Sequence, residues 1–376
     1  AAIEITDVLA SSDLAPPGSP PLFKAKSISV SFNFQKLLQK EFIVNSVSLK
    51  DGEIILRKDK TGLVNYNLLE KSDTTKSISS LRFDLHKINV ENVKLDFKNE
   101  EKNKHIGVLF RNNTIQLYAQ NKIINSEITG TVKIEELLFK PEKGPFLMNT
   151  EADISFNTII FPNQKLGVVN ATSYAIIDGE KYGLKAYVDL MEDKKLILKI
   201  DAPQANYKKV VQLMNTKIKK ELAKINVTNT VAVNATIIAP IGQSADPQLY
   251  VTLNGKKNDL RIGNTEIPYS QVSFTGYIFS MGDRVTTEET SNGIIVFNDI
   301  KGYVYDFPFT ASVSIKNLKD PKIKINADLV VQASKVNFKP GTDFILDGKK
   351  KKKIDYRGDL IHLNHTDFLN EPQKLQ

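Results

Sequence analysis

Apolar and polar residues take turns along most of this chain. In SISVSF, Ile28, Val30 and Phe32 alternate with serines, and in LRFDLH, Leu81, Phe83 and Leu85 alternate with Arg82, Asp84 and His86. VKLDFK continues the pattern with Val93, Leu95 and Phe97. In the longest case, YVYDFPFTASVSI, Tyr303, Tyr305, Phe307, Phe309, Ala311, Val313 and Ile315 fall on one side, and Asp306, Thr310, Ser312 and Ser314 on the other. KIKINADLVV follows, with Ile323, Ile325, Ala327, Leu329 and Val331 in phase. Successive side chains of a strand point to opposite faces, so strict alternation predicts strands with one apolar and one wet face. Such strands belong to antiparallel sheets. The chain is expected to be mainly β.

Strand length refines the expectation. The thirteen residues 303–315 span roughly 43 Å at about 3.3 Å each, against five or six residues in an ordinary strand. Pro308 lies on the polar side of that run, where a bulge or an edge is expected. Turn signals fall at Asp51-Gly52, Asp178-Gly179, Asn254-Gly255, Asn292-Gly293 and Asp347-Gly348. The stretch VSLKDGEIILRKDKTGLVNYNLLEK reads as a meander turning at Asp51-Gly52 and again at Asp59 to Gly62. Long strands joined by short turns predict a curved, groove-like sheet in preference to a compact sandwich.

Two stretches follow a helical period. NFQKLLQKEF (33–42) predicts a short helix capped by Asn33, with Leu37 and Leu38 facing inward. In 206–226, Val210, Met214, Ile218, Leu222 and Ile225 recur at three- and four-residue spacing among lysines. A basic amphipathic helix can lie on a membrane, but packing onto its own domain is the commoner use, and that is the expectation here. The helix divides the chain into an N-terminal sheet segment (1–205) and a helix plus C-terminal sheet segment (206–340). Residues 341–376 lose the alternation and carry Lys349 to Lys353 in a row. They read as a polar tail with little order, for which an anionic-lipid contact is the sharper alternative.

At 376 residues the chain exceeds the usual single-domain size. It has no cysteine, which excludes disulfides, thiolate zinc sites and cysteine nucleophiles. The formal net charge is +8. Its lysines alternate with apolar residues along strands and form no basic-aromatic cluster, so a solvated sheet face is expected and nucleic acid is not. No apolar run reaches the 18 residues that would suggest a membrane-spanning helix. The opening AAIEITDVLASSDLAPPGSPP lacks the charged start and apolar block of a signal peptide, and reads as the start of a fragment or a mature ectodomain.

Reactive chemistry is sparse. No P-loop, GxGxxG, GxSxG, HExxH or EF-hand pattern occurs. His86 alternates with Arg82 and Asp84 on a polar face, His105 falls in the charged loop NEEKNKH, and His362 and His365 make at most a weak metal pair. Glu135-Glu136 and Glu288-Glu289 are adjacent in strands, so each pair is expected to split between faces. The expectations are no enzyme activity, no cofactor and no metal.

The span ISVSFNFQKLLQKEFIVNSVSLKDGEIILRKDKTGLVNYNLLEK (28–71) resembles the start of AsmA-family proteins of Gram-negative bacteria. Their pattern runs strand, short helix with a Leu-Leu pair, strand, then I-x-L-x-x-D-x-x-G-x-x-N, which falls here on Ile54, Leu56, Asp59, Gly62 and Asn65. Residues 291–331 resemble the family's later domain, with the turn Asn317-Leu318-Lys319-Asp320-Pro321 in place of N-L-x-x-P. The likeness covers roughly 20–340. It departs from the family in lacking an N-terminal transmembrane helix and in the tail after 341.

The resemblance implies a periplasmic protein tethered to the inner membrane by an upstream helix, serving outer-membrane biogenesis. It implies phospholipid acyl chains as partners, carried along a β-lined groove as in bridge-like lipid transfer proteins, with the inner and the outer membrane at its ends. Tyr303, Tyr305, Phe307, Phe309, Val313, Ile315, Ile323 and Ile325 are the candidate groove lining. Ile54, Leu56, Asp59, Gly62, Asn65 and Pro321 are structural motif residues that need touch no ligand. Two rivals stand beside this reading. One is a β-sandwich scaffold or adhesion protein without lipid cargo. The other is an outer-membrane barrel, which would need aromatic girdles in a chain that has no Trp.

Overall fold

The computed structural model describes residues 2–39, 42–66, 81–138, 144–145, 147–191, 194–213, 219, 223–241, 247–263, 267–280, 293–305, 307–316, 322–332 and 351–360. They belong to two compact units, Ala1–Asp193 with Leu213–Lys217, and Lys194–Gln212 with Ile218–Gln376. The division therefore falls at the start of a strand, ahead of the helix that was expected to mark it.

The first unit is an open, curved sheet of β1 (Ala2–Ala10), β2 (Phe23–Phe32), β3 (Phe42–Lys58), β4 (Leu81–Asn99), β5 (Lys104–Gln120), β6 (Ile123–Leu138), β7 (Leu147–Phe161), β8 (Leu166–Ile177) and β9 (Glu180–Asp189). Each strand pairs antiparallel with the next, with one exception: β3 and β4 run parallel, Val47 beside Ile88 and Leu56 beside Phe97. The second unit contains β10 (Lys195–Asn206), β11 (Ile225–Val227), β12 (Thr230–Pro240), β13 (Gln248–Ile262), β14 (Tyr269–Ser280), β15 (Ile294–Val304), β16 (Phe307–Lys316), β17 (Lys322–Gln332) and β18 (Lys351–Leu360). There β10 pairs with β12, the short β11 with β13, and β12 to β18 form an antiparallel meander. The tail thus contributes a strand, since Lys351–Leu360 extends the ladder on β17.

Helix is scarce. In α1 (Phe34–Leu38) the Asn33 carboxamide caps the first turn, accepting the Lys36 N–H at 3.2 Å. Leu38 faces out, 71% exposed, against the expectation of an inward pair, because a five-residue helix has too few turns to lay a stripe on the sheet. The Leu37 side chain lies outside the described residues. In α2 (Tyr207–Gln212) Asn206 caps through its Oδ1, and Val211 is buried. The long helix expected over 206–226 is not continuous: Leu213 is a turn and Ile225 belongs to β11. Met214, Ile218 and Leu222 lie outside the described residues.

The strands are long because they pass through positions that read as turns. Asp7, Asp51 and Asn92 have φ of +52, +49 and +54 in the middle of β1, β3 and β4. The flanking registers put Asp7, Lys26, Asp51 and Asn92 on one line across four strands. The Asn92 carboxamide donates to the Asp51 carboxylate at 2.7 Å along that line. Along this line the alternation slips by one position in all four strands while their mutual register is kept, so the apolar series restarts in phase: Ile88 and Val90 before the crease, Val93, Leu95 and Phe97 after it. Without the slip, half of each strand would turn its apolar side to water. Asp51-Gly52 is therefore a crease inside β3 and not a hairpin, and a side chain at Gly52 would meet the Lys24 carbonyl at 2.8 Å. Lys257, Gln271 and Asp299, with φ of +50, +50 and +53, sit at register shifts in β13, β14 and β15.

Asn254-Gly255 is likewise interior to β13. Gly255 is there for space, because a Cβ would come within 2.4 Å of the Phe274 ring, and Gly276 makes the same room for Phe297. The two rings meet edge to face at 5.7 Å. Asp178-Gly179 does make a two-residue hairpin turn, both φ positive. So do Asn121-Lys122, which carry no glycine to announce it. Asp347-Gly348 and Asn292 lie outside the described residues.

Gly255→Ala should cost about 1–3 kcal/mol by overpacking against Phe274. Combining it with Phe274→Leu should recover part of that loss in urea denaturation. Equal, additive losses would show that the ring does not depend on the glycine.

Candidate functional site

Directly opposed residues of a ladder point the same way, so register decides which side chains share a face. In the second unit Val313 stands opposite Phe297 and Ile325, and Phe297 opposite Gly276. The row continues through Leu253 and Val233 to Ala202. The neighbouring row runs from Ile315 through Ile295, Ile278, Val251 and Ala235 to Ile200. The other side of the same strands carries Lys199, Asn234, Thr252, Thr310, Ser312 and Asn326. One face of this sheet is apolar from β10 to β17.

Phe307, Phe309, Val313, Ile315 and Ile325 lie on that apolar face, and the Tyr269 ring joins them 6.0 Å from Phe309. Ile323 pairs with Ile315, but its side chain, like Pro321, lies outside the described residues. Two expectations fail. The run 303–315 is not one strand: Tyr305 has φ +46 in a turn, and β15 folds back on β16 with Val304 opposite Phe307. The fold-back places Tyr303 opposite Pro308 on the polar side, 40% exposed, and leaves Tyr305 in the turn, 57% exposed. Alternation alone does not reveal this hairpin, because Tyr303 and Tyr305 continue the apolar series up to a turn that puts Val304, not Tyr303, on the face of Phe307.

The first unit repeats the arrangement. Ile54 and Leu56 stand beside Leu95 and Phe97. These face the same side as Val108, Phe110, Val132, Ala152, Ile154 and Ala175, of which the last four residues form a buried cluster. What is buried is instructive. The buried apolar residues are Ala, Val, Ile and one Tyr; among the residues whose side chains the structure describes, no Leu, Phe or Met is buried. In a two-layer core the large side chains would be among the most buried. Here short side chains form a covered floor, and the tall ones that shade it reach solvent at their tips. Partly buried Val108, Phe110, Ile128, Phe156, Ile177 and Leu184 do this around the cluster.

The motif residues hold the edge of the sheet. Asp59 Oδ1 accepts from the Thr61 hydroxyl, the Thr61 N–H and the Leu63 N–H at 2.7–2.9 Å, bonds that hold its carboxyl below the usual range. Gly62 takes φ +92 to close that loop. β2 begins at Phe23, opposite Ile54, so beyond that point β3 lacks a strand partner on this edge. Asn65, 2% exposed, fills the gap: it accepts the Arg57 N–H at 2.7 Å, donates to the Ile55 carbonyl at 2.9 Å, and its own N–H bonds the Arg57 carbonyl. One carboxamide replaces a strand there.

The opposite, wet face carries a cluster the sequence reading missed. Asp96, buried on β4, bonds the Arg57 guanidinium from β3 and His105 Nε2 at 2.7 Å. His105 Nδ1 meets Glu136 on β6. His105 is not in a loop but opposite Lys98 at the start of β5. Glu135 and Glu136 do not split between faces: a register shift between Gly107 and Val108 turns both to the wet side, where Glu135 pairs with Lys94 at 2.8 Å. His86 is exposed on β4; His362, His365 and Glu288-Glu289 lie outside the described residues. Both ring nitrogens of His105 face carboxylates, so the bracket presents no free base beside a hydroxyl. It ties four strands together. Among the described residues no three His, Cys, Asp or Glu side chains are grouped to hold a metal ion, and no helix is long and apolar enough to cross a membrane.

No family model, no curated protein and no solved structure matches this chain.

Burial pushes the Asp96 carboxyl up, but its bonds to His105 and Arg57 outweigh this and hold it below the usual carboxylate value. The stabilisation is therefore full above the unfolded pKa, about 3.9, and is lost as pH falls through the lower folded value. Asp96→Asn should cost about 1.5–3 kcal/mol at neutral pH, the worth of a hydrogen bond to a charged group. It should also flatten the acid limb of a stability curve below about pH 4, where the wild type declines faster. Parallel acid limbs would mean that Asp96 does not carry the linkage.

Proposed function

We propose that this protein is a non-enzymatic AsmA-like protein of the periplasm, held at the inner membrane, that shields phospholipid acyl chains on its apolar sheet faces in outer-membrane biogenesis. The observation that carries this reading is the unburied state of every Leu and Phe whose side chain the structure describes, on sheets whose floors are small and covered. A face built this way offers tall, deformable walls and a smooth base, which suits chains of CH₂ groups better than a ligand recognised by polar contacts. The likeness of 28–71 to the AsmA pattern supports the same assignment, and the edge-holding Asp59, Gly62 and Asn65 give that pattern a physical purpose.

Energetics favour such a device. A bare acyl chain in water costs about 0.8 kcal/mol per CH₂, of order ten kcal/mol for a whole chain. An apolar face removes most of that barrier. Because bilayer and face are similarly apolar, net binding is weak, as a conduit requires. A scaffold without cargo would instead seal its Leu and Phe between two layers.

Phe309→Asp separates the two. On an open face the carboxylate stays hydrated, so stability should fall by roughly 1 kcal/mol while phospholipid recovered with the protein falls several-fold by mass spectrometry. On a sealed face the buried charge should unfold the protein. A folded variant carrying as much lipid as the wild type, or a wild type carrying none, would contradict the proposal.

A further inference from the structure

The apolar face of the first unit is not uniformly apolar. Asn113 on β5 stands opposite Val90 on one side and Gly130 on the other, so its side chain shares the face of the hydrophobic cluster. It is 4% exposed, and neither its Oδ1 nor its Nδ2 has a hydrogen-bond partner. Two buried serines of this face are matched: Ser126 bonds Thr158, and the Ser173 hydroxyl accepts the Asn157 N–H at 2.9 Å. Asn113 is not matched in this way, and burying an unpaired carboxamide opposes folding.

Two features point to a purpose. Gly130 has φ +138, and a Cβ there would lie 2.0 Å from the Asn112 carbonyl and 2.7 Å from Asn113 Nδ2. The carboxamide therefore occupies a slot that only glycine leaves open. Following the ladder from Asn113 leads through Gly130, Ile154 and Ala175 to Tyr182. Tyr182 is 6% exposed and its hydroxyl also has no partner. Burial, with Glu180 and Asp178 adding to it, pushes that hydroxyl up to about 12, so it remains a donor. The two orphan groups are four strand spacings apart, roughly 19 Å, along a floor of small and medium side chains.

We propose that Asn113 is a hydrogen-bonding subsite on the apolar face, taking the head of an acyl chain that carries both a carbonyl acceptor and an N–H or O–H donor. This rests on the acyl-chain reading above. The carboxamide supplies the complement of each group, Nδ2 to the carbonyl and Oδ1 to the donor. The side chains around Asn113 move aside as the ligand enters, and the apolar tail then lies along the row toward Tyr182. Leaving a buried polar pair unmet until the ligand arrives is how a site rejects chains that lack the matching group.

Dodecanamide and dodecane, each competing with diphenylhexatriene for the full chain, provide the test. In Asn113→Leu the ratio of dodecanamide to dodecane affinity should fall about tenfold while dodecane affinity is kept, and the melting temperature should rise because an unpaired polar group has gone. Asn113→Ala should lower the ratio likewise if the larger side chain disturbs the fold. An unchanged ratio in both variants would overturn the subsite while leaving acyl-chain binding intact. Failure of both probes to displace diphenylhexatriene from the wild type would overturn the acyl-chain reading and the subsite together.

Discussion

The structure of each unit follows from an apolar sheet face over which that unit's described residues lay no second layer. A sheet normally hides its apolar side against a helix or another sheet. Within each unit the cover that the described residues provide is the height of neighbouring side chains. Val132, Ala152 and Ala175 are buried because Phe110, Phe156 and Leu184 stand around them, not because anything packs from above. That arrangement demands a curved sheet, on which side chains of one face crowd together. It also demands length, since a short strand would leave no floor to shade.

Curvature and length are reconciled by the transverse lines of left-handed residues. Asp7, Asp51 and Asn92 re-phase β1, β3 and β4 without ending them or shifting their register. The wet face then has to hold strands together where the ladder is bent. Arg57, Asp96, His105 and Glu136 do this across β3 to β6, and the Asn65 carboxamide completes the edge where β2 stops. Exposed pairs such as Lys50 with Glu91 contribute little by comparison.

Alternation made the fold class legible, because period two survives on any strand with one wet face. It also identified Phe307, Phe309, Val313, Ile315 and Ile325 as one surface, since β16 and β17 are regular. It misplaced Tyr303 and Tyr305, because their rings continue the odd-numbered apolar series up to a fold-back that pairs Val304 with Phe307 and so swaps which parity faces the apolar side. Asp51-Gly52 and Asn254-Gly255 were read as hairpins because a crease, or a glycine clearing space for a ring, uses the same residue types as a turn. The parallel pairing of β3 and β4 left no local trace, and neither did the His105 cluster, whose members are far apart in sequence. Only the charged character of NEEKNKH hinted at it.

The central claim is that acyl chains lie on the apolar faces and nowhere else. Photocrosslinking with a phospholipid bearing a diazirine near the end of one acyl chain, followed by peptide mapping, tests it directly. The account predicts adducts on apolar-face residues such as Leu253, Phe274 and Phe309 in the second unit and Phe110, Phe156 and Leu184 in the first. Adducts concentrated on wet-face residues such as Thr252, Tyr277 and Ser312, or none above the level of a lipid-free control, would contradict it.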